Sequence, residues 1–211
     1  TGEVVRADIV LRGGFRADRL PVVALQGLSD RPLLGMDVLG KLKLEHIEFD
    51  LEQLIAELDQ GPGPEGYGKA MRSLAISAKD LLSYTTWNTK HYTRNCIAQR
   101  DGYELLLICY EAGQRTSIHD HDSEEAHVML LLGTMLEERF TTASGGGLLL
   151  VSSTEPALGT VSTFDKAHSI HRYSNMGSGR SMTLNLYAPP LLKWRVYDER
   201  SGRPVVKPVG S

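Results

Sequence analysis

The sequence predicts a mainly β protein, an antiparallel barrel or sandwich preceded by two or three short helices, and three observations carry that prediction. From residue 93 onward, short segments rich in aliphatic, aromatic and β-branched residues recur with no helical period between them. Ser144-Gly145-Gly146-Gly147, Met176-Gly177-Ser178-Gly179 and Ser201-Gly202 punctuate these segments as turns. Before residue 93, apolar residues instead recur at helical spacing.

Taken in order, residues 4–11 and 20–25 are apolar and flank Arg12-Gly13-Gly14, which predicts two strands, and residues 33–39 read as a helix. At Asp50-Leu51-Glu52-Gln53 a capping residue is followed three positions later by Gln. Leu51, Leu54, Ile55 and Leu58 then repeat at i, i+3, i+4 and i+7, which predicts an amphipathic helix. Gly61-Pro62-Gly63-Pro64 ends it, because proline has no amide hydrogen to continue the ladder. A second helix is predicted over 68–82, with Met71, Leu74, Ala75, Ala78 and Leu82 on one face. Strands are predicted at 103–110, 128–140, 148–153, 161–164, 181–187 and 194–197. Residues 1–44 form an extension of uncertain role before a domain at 45–211.

Composition excludes several classes. A chain of 211 residues buries roughly 70% of its unfolded surface and needs no disulfide staples. Its two cysteines, Cys96 and Cys109, lack paired spacing, which fits a reducing cytoplasm rather than a thiolate zinc site. A net charge of -3 offers no basic field for a phosphate backbone, so nucleic acid is not an expected partner. No apolar run approaches the ~20 residues that span a bilayer, and no basic-then-apolar leader opens the sequence. The expectation is a cytoplasmic protein, monomeric in its barrel part, with no membrane partner.

The less ordinary number is seven histidines, five of them between Asp101 and Arg180. In the extended segment Ile118-His119-Asp120-His121, residues i and i+2 face one way, so two imidazoles can reach one metal ion. A third ligand must come from a later strand, where His168 and His171 are the candidates. Gly113 lies six residues before His119, Gly133 twelve after His121, and Asn175 four after His171.

These features resemble the cupin barrel, and more narrowly the cysteine dioxygenases. Tyr92-Thr93-Arg94-Asn95, residues 103–109, Gly113-Gln114, Ile118-His119-Asp120-His121, His171-Arg172 and Leu186-Tyr187-Ala188-Pro189-Pro190 stand in that family's order and spacing over about residues 50–202. The resemblance implies a double-stranded β-helix and a mononuclear Fe(2+) enzyme that adds both atoms of O2 to the sulfur of L-cysteine, giving cysteine sulfinate. It implies His119, His121 and His171 as iron ligands, His171 being preferred to His168 because Arg172 and Asn175 complete the pattern. It implies Arg94 on the substrate carboxylate, Tyr92 in the substrate wall and Tyr187 beside the bound substrate as the catalytic tyrosine. The implied partners are a small-molecule thiol and O2. The chemistry is coherent, since three neutral imidazoles leave the ion's charge uncompensated for an anionic thiolate, and a guanidinium fork matches a carboxylate. The same features admit 3-mercaptopropionate or another small thiol carboxylate as substrate, a non-catalytic metal-binding cupin, or a zinc or manganese isomerase.

Two positions depart from the family pattern. Ala126 stands where cupins carry a glutamate ligand and animal cysteine dioxygenases a cysteine cross-linked to the late tyrosine, and alanine can be neither. A one-residue slip would bring Glu124 or Glu125 towards the metal instead. The family's Ser-x-His-x-Tyr is here Thr183-Leu184-Asn185-Leu186-Tyr187, and an amide does not titrate near neutral pH. Tyr110 replaces a frequent tryptophan as a packing change. His127 is expected to face away from the site, and His46 and His91 to be surface or capping residues.

Ala7-Asp8-Ile9-Val10 and Pro32-Leu33-Leu34-Gly35-Met36-Asp37-Val38-Leu39-Gly40 resemble a fragment of a retroviral-type aspartic protease. The Asp-Thr-Gly or Asp-Ser-Gly turn that such chemistry requires does not occur in the sequence, so no protease activity is expected.

Overall fold

The computed structural model describes residues 3–10, 16–24, 51–73, 76, 78–165 and 170–208. The chain divides into two compact units, Thr1–Glu48 and Phe49–Ser211. In the first, strands β1 (Glu3–Val10) and β2 (Arg16–Ala24) pair antiparallel, with a register shift between Ala7 and Ile9. The protease-like stretch 32–40 and the helix expected at 33–39 lie outside the described residues, as does His46.

The second unit is mainly β, with two antiparallel sheets and short helices preceding them, the expected cupin architecture. Its strands are β3 (Thr93–Gln99), β4 (Glu104–Tyr110), β5 (His119–His121), β6 (Glu125–Leu132), β7 (Met135–Thr142), β8 (Leu148–Thr154), β9 (Val161–Asp165), β10 (His171–Asn175), β11 (Ser181–Ala188), β12 (Lys193–Tyr197) and β13 (Pro204–Pro208). One sheet has the order β13-β12-β5-β10-β7-β8 and the other β3-β4-β11-β6-β9. The segment expected as one strand at 128–140 is two strands about Gly133, where φ is +80°.

Residue alternation builds two apolar layers. On β4, Leu105, Leu107 and Cys109 join Met129, Leu131, Met182, Leu184 and Leu186 in one cluster, together with Leu51, Leu54, Leu58 and Met71 from the helices. Leu106, Ile108 and Tyr110 join Ala126, Val128, Leu130, Phe164 and Tyr187 in the other. The five-stranded sheet is thus covered by helices on one face and by the second sheet on the other, so β4 is buried along its whole length. A strand with two buried faces needs no polar alternation, which is why Glu104–Tyr110 is an almost continuous apolar run.

The helix Leu51–Leu58 is as expected, burying Leu51, Leu54 and Leu58. The predicted helix over 68–82 is instead an α-helix at Gly68–Ser73 and a 3-10 segment at Ala78–Tyr84. The tighter 3-10 turn changes which side is inward: Leu81 is fully buried whereas Leu82 is 63% exposed.

Gly133 joins β6 to β7 in a left-handed conformation, and a Cβ there would come within 2.2 Å of Ser181 Oγ and 2.5 Å of the Arg180 carbonyl oxygen. Gly133→Ala therefore combines backbone strain with a clash against β11. The expected cost is roughly 2–4 kcal/mol, read as a lowered urea midpoint with unchanged slope.

Candidate metal and substrate site

Strand β5 is only three residues long, and its neighbours hold it. His119 is registered opposite His171 on β10, while Val196, Arg195 and Trp194 on β12 stand opposite His119, Asp120 and His121. Alternation turns Asp120 to the other face, where it is buried. Its Oδ1 accepts from Arg195 Nε at 2.8 Å, and its Oδ2 accepts from Tyr197 Oη at 2.9 Å and from Arg195 Nη2. This fork fixes the peptide that carries both histidines.

On the inner face His119, His121 and His171 come together and are all buried. Ring centroids are 4.3 Å apart for His119 and His171 and 5.7 Å for His121 and His171. Phe164 stacks on His171 at 4.2 Å, and Tyr187 meets His121 edge-on at 5.4 Å. His119 Nδ1 donates to the Ser117 carbonyl at 2.9 Å, which leaves Nε2 as the lone-pair nitrogen. Both His121 nitrogens are buried without a partner. Burial pulls the pKa of both residues from the usual 6.5 down to about 4; Arg94 adds to this at His119, and His119 adds to it at His121. The rings are therefore neutral near pH 7, the protonation state that a metal requires.

Among the described residues no group of three or more His, Cys, Asp or Glu side chains is already spaced as a formed metal set. The fold supplies convergence instead, with rings packed on one another rather than splayed about a common point. The donors nevertheless fit a divalent cation that accepts nitrogen ligands: orphaned buried polar atoms are uncommon in folded proteins, and His121 has two.

His119 and His171 border a small cavity that Tyr92, Arg94, Tyr110, Asn185, Tyr187, Leu191 and Trp194 also line. Arg94 is registered opposite Ile108, which turns it inward. No carboxylate or hydrogen-bond acceptor among the described residues pairs with it; its guanidinium lies 5.7 Å from the Trp194 ring centroid. Tyr92, with its ring 5.4 Å from Tyr110, is both cavity wall and part of the inner apolar cluster. Burial raises the Tyr92 and Tyr187 phenols, Arg94 opposing it at both. Asn185 Nδ2 donates to Tyr187 Oη at 3.2 Å, while Asn185 Oδ1 and Thr183 Oγ1 are buried without partners.

Ala126 is fully buried directly opposite Tyr187, so the position facing the tyrosine holds a methyl group. Glu125 does not turn to the cavity: its Oε1 accepts from the Tyr67 amide at 3.2 Å and its Oε2 contacts His127 Nε2 at 2.8 Å. His127, buried on the opposite face, also contacts Thr163 Oγ1. His91 is exposed, and His168 lies outside the described residues. Sequence reasoning gave Trp194 no role beyond its strand. The signal that could have found it is alternation along β12, which places Trp194 on the face of Val196, the residue opposite His119.

Comparison with known proteins adds the following. The family model described as Cysteine dioxygenase type I matches residues 65–200, more than half of the chain. Cysteine dioxygenase type 1 of Danio rerio is 27% identical over 165 residues, covering 72% of this chain and 81% of that protein. The Rattus norvegicus protein of that name is 27% identical over 159 residues, covering 72% and 80%. A solved cupin superfamily protein from Desulfitobacterium hafniense is 19% identical with a TM-score of 0.38, covering 50% of this chain and 84% of that one.

Burial of two neutral histidines makes stability depend on pH. The unfolded chain takes up protons near the ordinary 6.5 and the folded chain only near 4, so the unfolded state binds more protons between these values. Stability of metal-free protein is expected to fall as pH drops from about 6.5 to about 4. Urea melts across that range should show a shallower fall for His121→Leu than for the unaltered chain.

Proposed function

The chain belongs to the cysteine dioxygenase type I family, and from that premise we propose that this thiol dioxygenase converts L-cysteine to cysteine sulfinate with iron(II). The net change is R–SH + O2 → R–SO2H: both oxygen atoms go to sulfur, which is oxidised by four electrons as O2 is reduced. The observation that carries the reading is Arg94, a guanidinium without a carboxylate partner among the described residues, placed near three converging imidazoles.

His119, His121 and His171 would hold the iron through neutral nitrogens. Bound there, iron(II) lowers the pKa of a coordinating thiol and brings sulfur and O2 to one redox centre. Arg94 takes the substrate carboxylate with its planar fork and fixes the orientation of the amino acid. Tyr92 closes the wall behind it. Tyr187 keeps its proton on Oη, because burial raises its pKa, and with Oη accepting from Asn185 that proton is free to point at the substrate. The activity resides in residues 45–211 acting as a cytoplasmic monomer on a small thiol and O2, and the chemistry does not need the extension at residues 1–44, whose role is a separate question.

One observation favours 3-mercaptopropionate as an alternative substrate. Among the described residues no carboxylate lines the cavity to receive a substrate ammonium, and Glu104 is turned to the Leu191 amide, from which it accepts at 3.4 Å.

Iron-loaded protein in an oxygen electrode should consume O2 on addition of cysteine, with mass analysis finding a two-oxygen addition to the thiol. Tight metal binding with no O2 uptake on any small thiol carboxylate would instead identify a non-catalytic cupin. Arg94→Lys keeps the charge but loses the bidentate fork, and is expected to lower kcat/KM for cysteine by about 10–100-fold.

A further inference from the structure

Trp194 is the largest side chain of the cavity wall, and the chemistry proposed above gives it no part. It stands across the ladder from His121, its ring edge-on to His119 with centroids 5.2 Å apart, and Arg94 lies over its face. Its indole nitrogen is buried and has no hydrogen-bond partner. An indole N–H can only donate, so burying it unpaired is unfavourable, and such atoms mark places where something else accepts. Arg94, the other donor at this wall, likewise lacks an acceptor among the described residues. Two unpaired donors therefore border one cavity, with the ring face of one packed against the cation of the other.

Resting on the thiol dioxygenase reading, we infer that Trp194 is a recognition and positioning residue for the substrate carboxylate. Its N–H donates to the second lone pair of one of the two carboxylate oxygens that the Arg94 fork holds, and its ring face holds the guanidinium in place by cation–π attraction. A guanidinium alone would have to be ordered by the substrate at each binding event. The tryptophan orders it beforehand, so the site discriminates between thiols by whether they carry a carboxylate.

Two substitutions separate the parts of this role. Trp194→Phe keeps a ring face and removes the N–H, and Trp194→Leu removes both. With iron-loaded protein, Trp194→Phe should raise KM for cysteine about tenfold with kcat nearly unchanged. The inhibition constant of cysteamine, a thiol amine without a carboxylate, should stay where it was. Trp194→Leu should lower kcat as well, because Arg94 is no longer held. Equal changes for cysteine and cysteamine, or a Trp194→Phe enzyme identical to the unaltered one, would overturn the inference.

A second readout does not need turnover. In Trp87→Phe, Trp194 is the only tryptophan, and its emission is titrated under nitrogen with 3-mercaptopropionate and with cysteamine. A response to the acid alone supports carboxylate recognition even if no thiol drives O2 uptake, an outcome that would sink the dioxygenase reading by itself. An unresponsive Trp194 in protein that still oxidises cysteine overturns the role of Trp194 and leaves the dioxygenase reading standing.

Discussion

The single registered pair between His119 and His171 is the contact on which the rest of the structure depends. A strand of three residues cannot hold itself in a sheet, and β5 is held because β10 and β12 grip it from both sides. The side chains that anchor it, Asp120, Arg195 and Tyr197, face away from the cavity. Asp120, caught between Arg195 and Tyr197, anchors the peptide so that the neighbouring imidazoles need make few bonds of their own. His121 can keep two unpaired nitrogens only because its backbone is fixed by other means. Stability and function are thus divided between the two faces of one strand.

The interior this produces is buried, yet its polar groups are incompletely paired. His121, Thr183, Asn185 and Trp194 each carry a buried atom without a partner. A core selected for stability alone would fill these positions with aliphatic residues, since each unpaired group costs about 1–3 kcal/mol. By contrast, the buried carboxylate of Glu137 is fully engaged: it accepts from Tyr173 Oη at 2.7 Å, from Arg139 Nε at 2.6 Å and from the Ser162 hydroxyl. Asn185 and Trp194 line the cavity and Glu137 does not, as expected if the former two wait for a ligand and the latter only supports the fold.

Much of this was legible in the sequence because strong local signals and tertiary packing agreed. The helix Leu51–Leu58 shows its buried stripe directly, and the Ile118-His119-Asp120-His121 motif needed only an extended backbone to place two imidazoles together. Where local signals were weak, prediction lost detail. His171–Asn175 contains no aliphatic residue, so as a strand it resembles a loop, and only its pairing with β5 and β7 makes it one. Pro204–Pro208 begins and ends in proline and is exposed along its length, being an edge strand. Trp194 was missed because a tryptophan in a strand is ordinarily core, and what distinguishes it is its neighbours, Arg94 and His119, which lie 100 and 75 positions earlier in the chain.

Ala126 has a consequence of another kind. The resemblance to animal cysteine dioxygenases implies, for a cysteine at this position, a bond to the late tyrosine formed after folding. Here the methyl group opposite Tyr187 has no atom from which such a bond could grow. The newly folded chain is already in its final covalent form at this site, with no period of maturation and no mixture of young and aged molecules. At this position the environment of Tyr187 is set by packing alone.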